Sequence, residues 1–399
     1  LLALGSGLNG GSPFTYLTSL GDSNLGTQQL FATTTYHWAD NVTLIRGRHL
    51  IKPGGQVLRQ QVNAYYSGNA GRSGYINFNG RFTAANAKSP TGLLLPEADF
   101  LLGLPSDLGR GVKNDGTWGQ RKTIFGLYAQ DDWRVTDRLT VNLGLRWEYH
   151  TPLVEVADRQ VNFGLLSGQL LVPGENGNSR ALYRTFKKDF QPRAGIAYHR
   201  GRLVARAAYT ISSFMEGAGT NLRLPLNPPL NPEFQALYNT ATDWMPATTL
   251  TDGIAGSRDP YVSALIRLWD PEVRPAISQQ WNAALEAQLP AGMVATAGYV
   301  GQHGTHLIVA MPYIQKRLVN GTVLPSLYLS GNPELLGKIS QISGTSSTGN
   351  QQYHALQTSL RKRYGAGVEF QAAYTWSKGM SDSVGFYSDS GQAGPQSPY

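Results

Sequence analysis

The sequence predicts an all-β chain: an antiparallel transmembrane β-barrel portion of about ten strands, an open half-barrel with long extracellular loops. Three observations carry that expectation. Strand-like segments alternate apolar and polar residues over lengths that suit a bilayer. Short turns alternate with long connections. Tryptophan and tyrosine recur towards strand ends.

The clearest segment is LTVNLGLRWEYH, residues 139–150. Leu139, Val141, Leu143, Leu145, Trp147 and Tyr149 fall on one face; Thr140, Asn142, Gly144, Arg146, Glu148 and His150 fall on the other. Period two is the period of a strand, and the run matches the roughly 9–11 residues that a tilted strand needs to cross a membrane. Residues 124–134 alternate too, apart from Asp131 on the apolar face. A bulge at Asp131-Asp132, or a position level with lipid headgroups, would accommodate that charge. Thr136-Asp137-Arg138 reads as the turn, with Asp137 able to bond its own backbone.

Four further hairpins follow the same pattern. They are expected at about 33–45 and 50–62 around Arg46-Gly47-Arg48, at 189–199 and 203–213 around Arg200-Gly201, at 278–289 and 293–300 around Pro290-Ala291-Gly292, and at 353–363 and 368–377 around Tyr364-Gly365-Ala366-Gly367. The connections 63–121, 151–188, 214–277 and 301–352 are long and rich in Gly, Pro, Asn and Ser. Compact soluble domains rarely use such loops. Outer-membrane barrels do, on their extracellular side. The expected organisation is a flexible start at 1–28, a partial barrel at 29–384 and a truncated extracellular loop at 385–399, cut from a longer protein.

The apolar faces are nearly free of charge. The opposite faces carry the lumen-facing candidates Arg146, Glu148, Arg193, Arg206, Asn282, Glu286, Glu369 and Gln371. Trp133, Tyr149, Tyr209, Trp281, Tyr299, Tyr374 and Trp376 are the candidates for interfacial girdles. Period two also fits a soluble sandwich or propeller. Strand length, loop alternation and aromatic strand ends favour the barrel.

Composition sets the outer bounds. Hydrophobic residues make up 41 % of the chain and no apolar run reaches the ~18 residues of a transmembrane helix. Cysteine is absent, so no disulfide framework or thiolate metal site exists in these residues. The net charge of +8 is scattered, without the clustered basic face of a nucleic-acid binder; anionic lipopolysaccharide or an anionic ligand suits it better.

Taken together, FGLYAQDDWRVTDRLTVNLGLRWEYHTP, QPRAGIAY with the following Arg206 strand, QQWNAALEAQLPAGMVATAGYVGQHGTHL, YHALQTSLRKRYGAGVEFQAAYTWSKGMSD and IRGRHLIKPGG resemble the barrel of TonB-dependent outer-membrane receptors, and within them the Oar-like group. The resemblance spans most of 29–384. It implies energised uptake through a barrel of about 22 strands around a plugged lumen. The plug and the TonB-contacting box are then expected outside this chain, and the partners are outer-membrane lipid and lipopolysaccharide, that plug, the TonB system and an unknown extracellular ligand. A structural or adhesive surface barrel and a passive porin remain open as alternatives.

Chemistry motifs are weak. GSGLNG, residues 5–10, lacks the strand, helix and distant acid of a dinucleotide site. SLRK, residues 359–362, sits on a strand, where positions i and i+3 point to opposite faces. His303 and His306 form a pair without carboxylate support. No nucleophile–base arrangement appears, so no enzyme, cofactor or metal is expected.

Overall fold

The computed structural model describes residues 4–5, 19–21, 30–66, 74–87, 94–111, 116–215, 220–231, 233–237, 246, 249–251, 261, 264–313, 317–324, 332–339, 341–365 and 367–383. Its main feature is an antiparallel sheet of thirteen strands, ten of them long. These are β1 (Leu30–Asn41), β2 (His49–Tyr65), β3 (Trp118–Arg134), β4 (Leu139–His150), β5 (Asp189–Arg200), β6 (Leu203–Phe214), β7 (Ala276–Leu289), β8 (Met293–Pro312), β9 (Gln341–Gly365) and β10 (Val368–Ser381). Spatial order equals chain order, an up-and-down meander. Among the described residues β1 pairs along its length only with β2, and β10 only with β9, so the sheet stays open at both edges, as the sequence predicts.

The sheet's two faces follow the alternation. On β3, Phe125, Leu127, Ala129, Asp131 and Trp133 share the apolar face, and Leu127 is 60 % exposed there. In a water-soluble sheet such a face would be covered; here the large apolar side chains stay open on strand after strand, Leu145 on β4, Ile196 on β5 and Leu285 on β7 among them. Above Phe125 the same face turns polar. Arg59 donates to Thr123 Oγ1 at 2.7 Å, and Arg121 donates to Asn63 Oδ1 at 3.1 Å. The apolar band on β3 therefore runs from Phe125 to Trp133, close to the roughly 9–11 residues of a tilted crossing.

Of the two arrangements expected to accommodate Asp131 the bulge is ruled out, and the bonding expected in the following turn is corrected. The ladders of β3 with β2 and with β4 pass Asp131 and Asp132 without a register shift, so there is no bulge. Asp131 is instead paired with His49 Nδ1 at 2.7 Å, near the short turns. In the β3–β4 turn, Thr136 rather than Asp137 makes the local bonds: its Oγ1 accepts from Arg138 N at 3.2 Å and Leu139 N at 3.0 Å. Gly47, Gly201, Gly292 and Gly367 adopt positive φ in the other short turns, a conformation that costs a residue with Cβ more.

Several strands exceed their expected lengths. β3 begins at Trp118, β8 continues to Pro312 and β9 starts at Gln341. The extensions all lie at the long-connection end, and there the connections pack into cores of their own. One core joins Phe163, Ile266, Leu268, Val309, Met311 and Ile342; a second joins Tyr183, Leu224, Trp269, Val273 and Ile308. Leu265–Leu268 even adds a parallel strand to β9. Leu4–Gly5 and Ser19–Gly21 pair within a small separate sheet completed by Tyr75–Asn77, Asp107–Gly111 and Glu233–Leu237. The rest of 1–28, and 384–399, lie outside the described residues.

Candidate functional site: a polar face under a packed cap

Residues opposite each other in a ladder share a face. Arg146 opposes Gln191, Glu148 opposes Asp189, and Arg193 opposes Gly144 and Thr210. Arg206 opposes Ala197 and Ala284; Asn282 opposes Ala208 and Val300; Glu286 opposes Val204 and Thr296. Gln371 opposes Arg361, and Glu369 lies two residues from it on β10. Following these pairings across the sheet puts all eight candidates on one face. Glycine makes room for the longest of them: a Cβ on Gly144 would come within 2.7 Å of Arg193 Cγ, and one on Gly126 within 2.8 Å of Arg146 Nη2.

The structure gathers only part of that set. Arg146 Nε donates to Glu148 Oε1 at 2.7 Å, with a second bond from its Nη2, and its guanidinium lies 5.8 Å from the Tyr128 ring centre. His150 Nε2 is 3.2 Å from Glu148 Oε2. Gln191 Nε2 reaches Glu148 Oε2 at 3.3 Å and Asp189 Oδ1 at 3.4 Å, and Ser213 donates to Asp189 Oδ2. Arg193, Arg206, Asn282, Glu286, Glu369 and Gln371 are spread along the face instead. Sequence reading did not single out His150, Asp189, Gln191 or Ser213. The alternation already placed His150 beside Glu148, but only the β4–β5 register brings Asp189 to both.

The aromatic candidates share the apolar face. Trp133 stacks on His49 at 5.3 Å. Tyr149 stacks with Phe125 and with Trp147, each at 6.3 Å. Tyr209 opposes Trp281 and donates to Gln279 Oε1 at 2.9 Å; the Tyr299 hydroxyl meets His354 Nδ1 at 2.8 Å. Tyr374 and Trp376 stand open on β10. Of the weak motifs, Ser359 and Lys362 oppose Ala373 and Phe370 on β10, His303 opposes Gln279 and Gln352, and residues 6–10 lie outside the described set.

The long connections close over the polar face at one end. Leu226 packs with Ala64 and Trp118, whose side chains belong to that face. Two buried asparagines tie the connections together by bonding to backbone. Asn162 donates to Leu182 O at 3.1 Å and Trp269 O at 2.7 Å, and accepts from Trp269 N at 3.1 Å. Asn227 donates to Val161 O at 2.7 Å and Arg267 O at 2.6 Å, and accepts from Arg267 N at 2.7 Å.

Glu155 anchors the cap to β3. Burial alone would raise its carboxyl. Backbone N–H groups of Gly119 (3.0 Å), Arg159 (2.9 Å) and Ala157 (2.7 Å), with the Arg159 guanidinium, more than reverse this and hold it below its ordinary value of 4.5. A depressed carboxyl stabilises the folded state above its unfolded pKa, and that contribution is lost as pH falls through the folded value. Amide protection in 153–160 is therefore expected to drop as pH falls from about 4.5 downwards. Glu155→Gln should lower protection at pH 7 and flatten this dependence, as measured by hydrogen exchange. Equal pH profiles for both proteins would contradict the anchor.

The sequence model of a family described as "Outer membrane beta barrel domain" matches residues 3–399. No curated protein sequence matches the chain. Similar solved structures include the outer membrane transporter YddB from Escherichia coli, at 10 % identity and a TM-score of 0.44 over 88 % of this chain and 34 % of that one. The copper transporter OprC is similar at 10 % identity and 0.44, over 89 % and 40 %. The FrpB iron transporter from Neisseria meningitidis (F3-3 variant) gives 11 % and 0.42, over 88 % and 36 %. The chain thus spans well under half the length of these structures.

Proposed function

We propose a transport function from one premise: this chain belongs to the outer membrane beta barrel domain family and resides in the cell outer membrane. In this reading the chain is part of the barrel of a TonB-dependent receptor that takes up an extracellular ligand. The apolar face meets lipid and lipopolysaccharide. The polar face, with Arg146, Glu148, Arg193, Arg206, Asn282, Glu286, Glu369 and Gln371, lines a lumen that accommodates a plug. The packed connections form the extracellular ligand surface. The observation that supports the reading is the open meander: among the described residues ten long strands leave both edges unpaired, and lipid does not tolerate unpaired edges, so the reading completes them into a larger barrel.

Depletion of compounds from growth medium tests it. Cells with the full-length gene should remove a compound that deletion cells leave behind, and a protonophore or loss of TonB should stop the removal. Removal that survives the protonophore would indicate a passive pore. No difference between the strains would indicate a surface or adhesive role.

Sidedness is tested separately. An epitope tag beside Glu175 should bind antibody on intact cells, whereas a tag beside Gly292 should bind only after permeabilisation. The reverse pattern would invert the assignment of the connections.

A further inference from the structure

We propose that Glu148, His150 and Asp189 form a binding site for a borderline divalent transition-metal ion on the polar face, at the end of β4 and the start of β5. Ligand atoms of the three residues all lie within 4.8 Å of one another. The outer contacts orient them. Arg146 holds Glu148 Oε1, which leaves Oε2 aimed at His150; Ser213 holds Asp189 Oδ2, which leaves Oδ1 aimed at the same space. Such outer partners fix the lone pairs that a metal uses.

The group now lying between the two carboxylates is the Gln191 amide. Its two N–H groups are shared among three acceptors, the two free oxygens at 3.3 and 3.4 Å and Ser213 Oγ at 3.0 Å. A single nitrogen shared by two carboxylates occupies the place a cation would take. Rotating that amide would turn its carbonyl oxygen towards the same point as a fourth ligand. His150 Nδ1 is buried without a hydrogen-bond partner among the described residues, and Nε2 is the nitrogen that faces Glu148. Asp189 and Gln191 are themselves almost fully buried.

Arg146 and Lys122, which acts on Glu148 through space, bring the formal charge of the two carboxylates close to neutral, so donor type rather than net charge selects the ion. One imidazole with oxygen donors suits Zn2+, Ni2+ or Cu2+ better than Mg2+ or Ca2+. Tetrahedral bonds of about 2.0–2.2 Å put ligand atoms about 3.3 Å apart, which the His150–Glu148 pair already meets and to which Asp189 must close.

The inference does not rest on transport, and its test is binding. Full-length protein in detergent is titrated with Zn2+ by calorimetry, and with Cu2+ under electron paramagnetic resonance. One ion per chain is expected, with nitrogen hyperfine structure from one imidazole. His150→Gln and Asp189→Asn should each weaken binding by at least about tenfold, while His303→Gln should leave it unchanged. Should one of the two variants fail to fold, the other decides, with His303→Gln as the control. Absence of binding at 100 µM, a copper spectrum without imidazole nitrogen, or equal affinity in His150→Gln would each overturn the site.

Discussion

Leu145→Arg is expected to abolish most barrel assembly, whereas Asn142→Arg on the same strand should assemble nearly as wild type. Leu145 lies on the apolar face, half exposed, between Ala129 and Pro192. An arginine there enters the hydrocarbon, at a cost of about 2–4 kcal/mol near the midplane. Asn142 lies on the opposite face, where it donates to Asp132 Oδ1 at 2.6 Å. Arginine at that position keeps an acidic partner and stays out of lipid. Leu143→Arg should fall between the two, because Leu143 directly opposes Asp131 and the new guanidinium would meet a carboxylate. Folded fractions of the three variants in lipid bilayers give the ranking. Equal yields for Leu145→Arg and Asn142→Arg, or the reverse order, would mean that the faces are inverted or that the sheet is soluble.

Trp269→Ala should open the cap while leaving the sheet intact. Trp269 is fully buried, meets Tyr183 edge-on at 6.1 Å, and its backbone is bonded on both sides by Asn162. Removing a buried Trp costs about 3–5 kcal/mol. If the cap opens independently, exchange of amides in 161–183 and 264–274 should accelerate by about a hundredfold or more, since each 1.4 kcal/mol is tenfold. Asn227→Ala should act in the same direction, because three backbone contacts lose their partner at once. Exchange in β4 and β5 should change little. Uniform acceleration across strands and cap would show that cap and sheet unfold as one body, and no acceleration would show that the two cores do not hold the connections.

The membrane-crossing parts of the fold were legible because lipid imposes a simple rule. Each crossing must be apolar on one face, and residues 139–150 state that pattern outright. Where the strands leave the band the rule lapses. Arg59, Arg121 and Thr123 occupy the formerly apolar face, and the outer part of β9, QISGTSSTGN, carries no clear alternation and pairs with β8 through two register shifts. The cap was hidden for a different reason. Its burial comes from contacts such as Asn162 with Trp269, separated by 107 residues, and neither residue announces the other. Connections 151–188 and 214–277 therefore read as open loops, whereas their described parts contain some of the most buried side chains in the chain. The candidate site was half visible for the same cause: alternation assigns a face, but only inter-strand register says which residues on that face meet.

The central claim is that the odd-numbered face of the 139–150 strand is in lipid. A nitroxide scan of these twelve positions in the full-length protein, reconstituted in bilayers, tests it most directly. Collision rates with oxygen, which concentrates in the bilayer, should rise and fall with period two and peak at Leu139, Val141, Leu143, Leu145, Trp147 and Tyr149. Rates with a water-soluble nickel chelate should show the opposite phase or remain low. Oxygen maxima at Asn142, Gly144 and Arg146, or no oscillation at all, would contradict the account.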